Sequence, residues 1–436
     1  MTTLDKLPTV VDGRVLLDGD EGFEAARTPW NLAVRQPVAA VVEAADADDV
    51  AAVVRFARSA GFTVSAQPSG HGASGNTAGV ILLRTGALDE VRVDPRNRTA
   101  RVGAGATWGR VQAAAGPHGL TGVPGSSPGV SVVGYTLGGG VSWFGRRFGW
   151  ASDSVTAFEV VDAEGARSRV TAQSDPDLFW ALRGGGGDHA LVTAMEFDLH
   201  PAPELYGGRM VWPGRLAEEV MDAYRRVTAT APRELSTWIT RLQVPGQDAM
   251  IVVDTAHLGG EAEAKESLRP LEGVGVPLSD SRGPLSPADL GSITSDPVDP
   301  APGVSRAELL TDLDDRAVEV LLDTPVAPML LVQVRHLGGA LAGPSDSPQG
   351  PMPEPYALYM FGVPGSPGTA EDVRARQGEF ARVLAPSVSG RTPFTLLSPG
   401  KTAASAFSPQ ALERLREVKR DRDPHGVIRS NYPVLG

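Results

Sequence analysis

The chain has 436 residues, 42% of them hydrophobic and 21% charged, enough for two or three domains with a full apolar core. Its formal charge is −12 at pH 7. The most basic stretch, Arg414 to Arg422, is broken by Glu417 and Asp421, which argues against nucleic acid and anionic membrane as partners. With no cysteine, disulfides, zinc–thiolate sites, iron–sulfur clusters and thiol nucleophiles are all excluded, and no metal site is assigned.

Met1 to Asp18 lacks a basic segment followed by a continuous apolar one, and no apolar run reaches the ~20 residues of a membrane helix, so a cytoplasmic protein is expected. From Gln36 to about Pro201, short strands alternate with helices. Val50, Val53, Val54 and Ala57 share one stripe of a helix from Asp46 to Gly61. Strands follow at Thr63–Gln67 and Val80–Leu83, and hairpins at Val91–Val93/Thr99–Val102 and Val155–Val161/Ala166–Val170. Thr107 is placed to cap a short helix ending at Gly116, and Ser174-Asp175-Pro176 opens another. From Leu205 to Thr392, strand-like runs at Met250–Thr255, Leu330–Arg335 and Ala357–Val363 are separated by helices and by long loops at Ser279–Val304 and Gly343–Pro355. Ser408-Pro409 opens a last helix that breaks at Asp423-Pro424.

Three glycine-rich loops stand out. The first, Gln67-Pro68-Ser69-Gly70-His71-Gly72-Ala73-Ser74-Gly75-Asn76, follows a strand, and its small residues let backbone N–H groups approach an anion such as a pyrophosphate. The second runs from Gly122 to Gly140 through Pro124-Gly125-Ser126-Ser127-Pro128-Gly129-Val130 and Leu137-Gly138-Gly139-Gly140. It contains neither a dinucleotide G-x-G-x-x-G opening a helix nor a P-loop lysine, and it suits a backbone lying against a large flat ligand. The third, Gly184 to Gly187, closes the Leu178-Phe179-Trp180 helix, and four glycines in sequence imply a close approach.

Taken together, these loops, the Asp175-Pro176-Asp177-Leu178-Phe179-Trp180 segment and the terminal Asn431-Tyr432-Pro433 resemble the berberine bridge enzyme-like oxidoreductases, of the vanillyl-alcohol oxidase / p-cresol methylhydroxylase (PCMH) type. The resemblance implies an α+β fold: a two-subdomain PCMH-type FAD-binding domain (1–205), a substrate domain with an antiparallel sheet covered by helices on one face (206–392), and a C-terminal segment (393–436) returning to the first. It places FAD on Pro68, Ser69, Gly70, Gly72 and Ala73, on Gly125, Ser126, Ser127, Gly129, Val130, Val133, Gly134, Tyr135 and Gly138, and on Val192 and Asn431. His71 takes the covalent 8α bond. Ser127 stands where many relatives have a second, cysteinyl link, so a single bond to His71 is expected. Val130 occupies a position that lines the oxygen side of the flavin, where valine accompanies oxidases. Asp188-His189 departs from the Asn-Phe that relatives carry after the third loop.

The implied activity is hydride transfer from an alcohol or related C–H of a small molecule (a sugar or secondary metabolite) to flavin, with O2 reduced to H2O2. A dehydrogenase, oxidative cyclase or drug-inactivating oxidase is the alternative, and a non-catalytic binding protein the alternative from another class. Sugar-oxidising relatives use tyrosines, including a Tyr-x-Asn-Tyr segment whose first position here is Arg429. Candidate catalytic residues are Tyr135, Tyr356, Tyr359 and Tyr432, and Arg335 and His336 could bind an acidic or carbonyl group. Tyr356 and Tyr359 are an odd number apart, so only one can face the flavin. Substrate identity and oligomeric state stay open.

Overall fold

The stripe through Val50, Val53, Val54 and Ala57 is buried on the helix Ala47–Ala60. Asp46 caps it by accepting the N–H groups of Asp48 and Asp49, and Gly61 ends it at φ 74°. These features come from a computed structural model, which describes residues 3–365 and 368–436. The helix packs on a four-stranded sheet ordered Arg14–Leu17, Ala40–Glu43, Ile81–Arg84, Val64–Ala66, the last three parallel. Both expected hairpins form and flank Leu191–Asp198 in a five-stranded antiparallel sheet. Thr107 precedes the helix Trp108–Ala115 but makes no side-chain cap.

The second half is an eight-stranded antiparallel sheet whose long strands run, in order, Leu205–Pro213, Met250–Leu258, Leu235–Leu242, Leu331–His336, Tyr356–Gly362 and Val304–Leu310. Helices Ala217–Thr230, Glu261–Glu272, Asp315–Asp323 and Ala370–Val383 bury Tyr224, Leu268, Leu321 and Phe380 with the core of this sheet, so one face is covered. The α+β reading therefore holds. The Ser279–Val304 segment is less structureless than expected. Ser279–Asp280 and Gly283–Pro284 pair with the edge strand, Pro287–Ser292 is a 3-10 turn, and Val304 begins a strand.

Capped by Ser408, the C-terminal helix Pro409–Arg422 returns to the first half. Its Lys419 Nζ is buried and donates to Asp423 Oδ2 at 2.7 Å, to the Asp188 carbonyl at 2.6 Å and to the Ile428 carbonyl at 2.7 Å. The Asp188 carboxylate accepts the N–H groups of Ser430 and Val434, and His189 Nε2 lies 3.0 Å from the Leu415 carbonyl. The Asp188-His189 departure thus fastens the tail through a buried charge pair whose remaining bonds are satisfied. Among the described residues, no helix is long and apolar enough to cross a membrane.

Candidate functional site

The first two glycine loops meet. Pro68 lies 3.7 Å from a Cβ built on Gly134, and a Cβ on Gly129 would stand 3.9 Å from both His71 Cε1 and Ser127 Oγ. His71 is fixed from two directions: its ring stacks on Trp30 at 4.3 Å, and Nδ1 lies 2.9 Å from Ser69 Oγ. Its Nε2 and Ser127 Oγ are both buried without a partner. Burial lowers the His71 pKa to about 4, with the Asp296 charge pulling the other way. Buried polar atoms in native proteins normally have partners, so two orphans facing one space point to a group that completes them.

Asn431 joins the same wall. Its Nδ2 donates to the Gly72 carbonyl at 2.9 Å, and Ser74 Oγ donates to the Asn431 carbonyl at 2.7 Å. Ser131 caps the helix Val132–Leu137, which carries Val133 into the core and Tyr135 against Trp108. The Tyr135 hydroxyl is buried without a partner, and burial raises its pKa. Val130 and Gly125 are half-buried on this loop, whereas Val192 lies in the five-stranded sheet core opposite Val160.

Glycines sort the three loops. A Cβ on Gly72 meets nothing within 4 Å, and on Gly129 nothing closer than 3.9 Å, so these two glycines front open space, whereas Gly70, Gly122 and Gly140 in the same loops are tight against Pro29, Trp108 and Tyr135. In the third loop the reason for glycine is inside the chain. A Cβ on Gly185 would stand 2.5 Å from Leu415 and one on Gly186 2.8 Å from Phe394. Close approach was legible there, but its object is the C-terminal packing.

The sheet forms the facing wall. Strand pairing aligns Arg209, Asp254, Trp238 and Arg335 in one transverse row, with Gln333 and Tyr359 in a neighbouring row on the same face. Asp254 accepts two bonds from Arg209, yet burial still pushes it up to about 6. Trp238 stacks on Trp143 from the first half at 3.6 Å. The loop carboxylate of Asp296 accepts a 2.6 Å bond from Ser126, and its charge acts on His71, Arg335, Tyr359 and Asp254. It therefore stands between the two walls. Sequence reading missed Asp296, Trp238 and Trp30, because nothing local marks them.

Two candidates are corrected. Tyr356 and His336 project to the helix side, opposite Tyr359 and Arg335, because side chains alternate along a pleated strand. The Tyr356 hydroxyl bonds Thr228 at 2.9 Å, and His336 Nε2 lies 3.0 Å from Arg146, with burial lowering its pKa to about 3. Tyr432 sits edge-on to Phe394 in the C-terminal cluster, its hydroxyl buried and its pKa raised by burial. Among the described residues, no ring contact or hydrogen bond joins it to Tyr135 or Tyr359, and its hydroxyl has no partner.

Residues 38–171 match the family described as FAD binding domain. The whole chain is similar to (R)-6-hydroxynicotine oxidase of Paenarthrobacter nicotinovorans, 25% identical over 452 residues that cover 98% of this chain and 97% of the relative. Among solved structures, berberine bridge enzyme (BBE)-like 1 of Physcomitrella patens superposes with a TM-score of 0.87 at 18% identity, covering 100% of this chain and 99% of that one. The xylooligosaccharide oxidase of Myceliophthora thermophila C1 gives 0.85 at 18% identity, with 100% and 99% covered. The chain therefore has an FAD binding domain and the fold of the PCMH-type FAD-linked oxidoreductases.

Proposed function

We propose that this chain, an FAD-linked oxidoreductase, is an oxidase of a small molecule that carries its flavin on His71 alone. The observation that supports the reading most directly is the pair of buried, unpartnered atoms His71 Nε2 and Ser127 Oγ beside glycines that front open space. In the tautomer that donates Nδ1–H to Ser69, Nε2 holds the lone pair, and the lowered pKa keeps the ring neutral at physiological pH. Trp30 and Ser69 aim that nitrogen. Ser127 in place of a cysteine leaves no second point of attachment.

When bound, FAD supplies a two-electron acceptor that O2 can regenerate with release of H2O2. The chain supplies the rest. The second loop and the sheet row enclose the substrate, and Trp143 on Trp238 closes one end against water. Asp296 receives the substrate proton on the oxygen that Ser126 does not hold, and Tyr359 orients the reacting group. Val130 beside the flavin loop fits the use of O2.

Denaturing mass spectrometry of the purified protein tests the reading. The peptide containing His71 should carry the mass of FAD, and His71→Ala should lose all flavin on denaturation. A denatured His71→Ala protein that stays yellow would refute the attachment. Peroxide release against alcohols, sugars and N-heterocycles, compared with electron transfer to a dye, separates oxidase from dehydrogenase.

A further inference from the structure

We infer that the substrate carries a carboxylate and that Arg335 grips it as a two-pronged donor. The location of this site rests on the reading above, but the recognition does not depend on the redox chemistry.

Arg335 is held on three sides. The Trp238 ring lies 4.1 Å from its guanidinium carbon on one flank and the Tyr359 ring 4.7 Å on the other, from strands on either side of its own. Its Nε donates to Gln333 Oε1 at 2.7 Å, and Gln333 is itself anchored on Thr240 Oγ1 at 2.9 Å. Among the described residues, neither terminal nitrogen has a protein acceptor, and Arg335 forms no ion pair. The neighbouring carboxylates act on it through charge without a direct bond: Asp254 takes two bonds from Arg209, and Asp296 takes one from Ser126 on a single oxygen.

Arg146 provides the contrast. This buried guanidinium spends its nitrogens on the carbonyls of Leu235, Ala231, Pro232 and Leu337 and on His336, and so needs no ligand. Arg335 is fixed but unspent. A cation enclosed by aromatic faces is costly to leave without an acceptor on its terminal nitrogens, and the planar fork of arginine matches the two oxygens of a carboxylate. With both faces covered and Nε engaged, only the edge bearing the terminal nitrogens is free. That edge selects a planar two-oxygen anion over an alcohol or amide.

The test is calorimetric titration of the holoprotein with benzoate, benzamide and benzyl alcohol, three probes alike except at the anion. Benzoate should bind at least about tenfold more tightly than the other two. Arg335→Gln should weaken benzoate about 30-fold or more and leave benzamide unchanged, and Arg335→Lys, which keeps charge but loses the fork, should fall between. Thermal melts confirm that the variants fold. Equal binding of benzoate and benzamide to the parent protein overturns the inference, as does undiminished benzoate binding by Arg335→Gln. Unchanged benzoate binding with a shifted flavin midpoint potential would assign Arg335 to the cofactor instead. Because calorimetry needs no flavin signal, absence of covalent FAD or of peroxide release would defeat the attachment or the oxidase reading and leave this result standing.

Discussion

On the loop wall, Gly72 and Gly129 contribute backbone and open space around one histidine, held by Ser69 and Trp30. On the sheet wall, Arg209, Asp254, Trp238 and Arg335 contribute side chains that lie far apart in sequence and meet only through strand register. The first wall tolerates little change at its tight glycines, Gly70 and Gly140, yet can be read as a motif. The second tolerates substitution around each residue yet has no motif, because its unit is a row across strands. A binding surface made by backbone is thus a property of a segment, whereas one made by register is a property of the whole sheet.

Gly140 gives the hardest test of the loop wall. It sits at φ +77°, and a Cβ there would lie 2.7 Å from Ala151 Cβ and closer still to the Tyr135 ring. Gly140→Ala should therefore cost about 3 kcal/mol or more in chemical unfolding and displace Tyr135. A near-neutral result would mean that the loop yields, and that its glycines are not there for space.

The sheet wall and the Asp296 carboxylate facing it should respond in turnover rather than stability. Asp296→Asn should lower kcat/KM about 100-fold, and Tyr359→Phe about tenfold, roughly the worth of one hydrogen bond to a reacting group. Tyr356→Phe, on the helix face, should leave turnover unchanged while losing its bond to Thr228. Equal effects at the two tyrosines would show that the face assignment does not govern catalysis.

The gentlest probe is pH. Burial lowers His200 to about 4 and His336 to about 3, from an ordinary 6.5. The unfolded chain therefore takes up protons first as pH falls, so stability is flat above about pH 6.5 and declines from there toward pH 4. Replacing His336 with phenylalanine should flatten that decline without touching benzoate binding. A urea midpoint constant across this window would contradict it.

Local signals carried much of the fold. The Ala47–Ala60 helix has its cap, stripe and terminal glycine in one stretch, and each hairpin has its turn residues between its strands. The strands Leu205–Pro213, Leu235–Leu242 and Val304–Leu310 did not stand out. Gly207-Gly208 interrupts the first, and Ser236, Thr237 and Thr240 are buried polar positions in the second, so neither shows apolar alternation. The parity of Tyr356 and Tyr359 was legible, since a strand alternates, but which of them faces the loops depends on where the helices lie. Asp296 could not be found locally at all. Its role comes from a covering segment pinned where Trp30 Nε1 donates to the Val298 carbonyl, 268 positions away.

The bonds from Asn431 and Ser74 have a consequence for biosynthesis. The loop holding His71 receives two of its restraints from residue 431, by way of the Gly72 carbonyl and the Ser74 hydroxyl. During translation, His71 emerges about 360 residues before those restraints exist, and at typical elongation rates that interval is tens of seconds. Through that interval the nascent loop lacks both bonds. On the proposed reading, attachment in the finished loop waits for the tail: a ribosome stalled short of residue 431 leaves Gly72 and Ser74 without those two bonds, although Trp30 and Ser69 already flank the histidine.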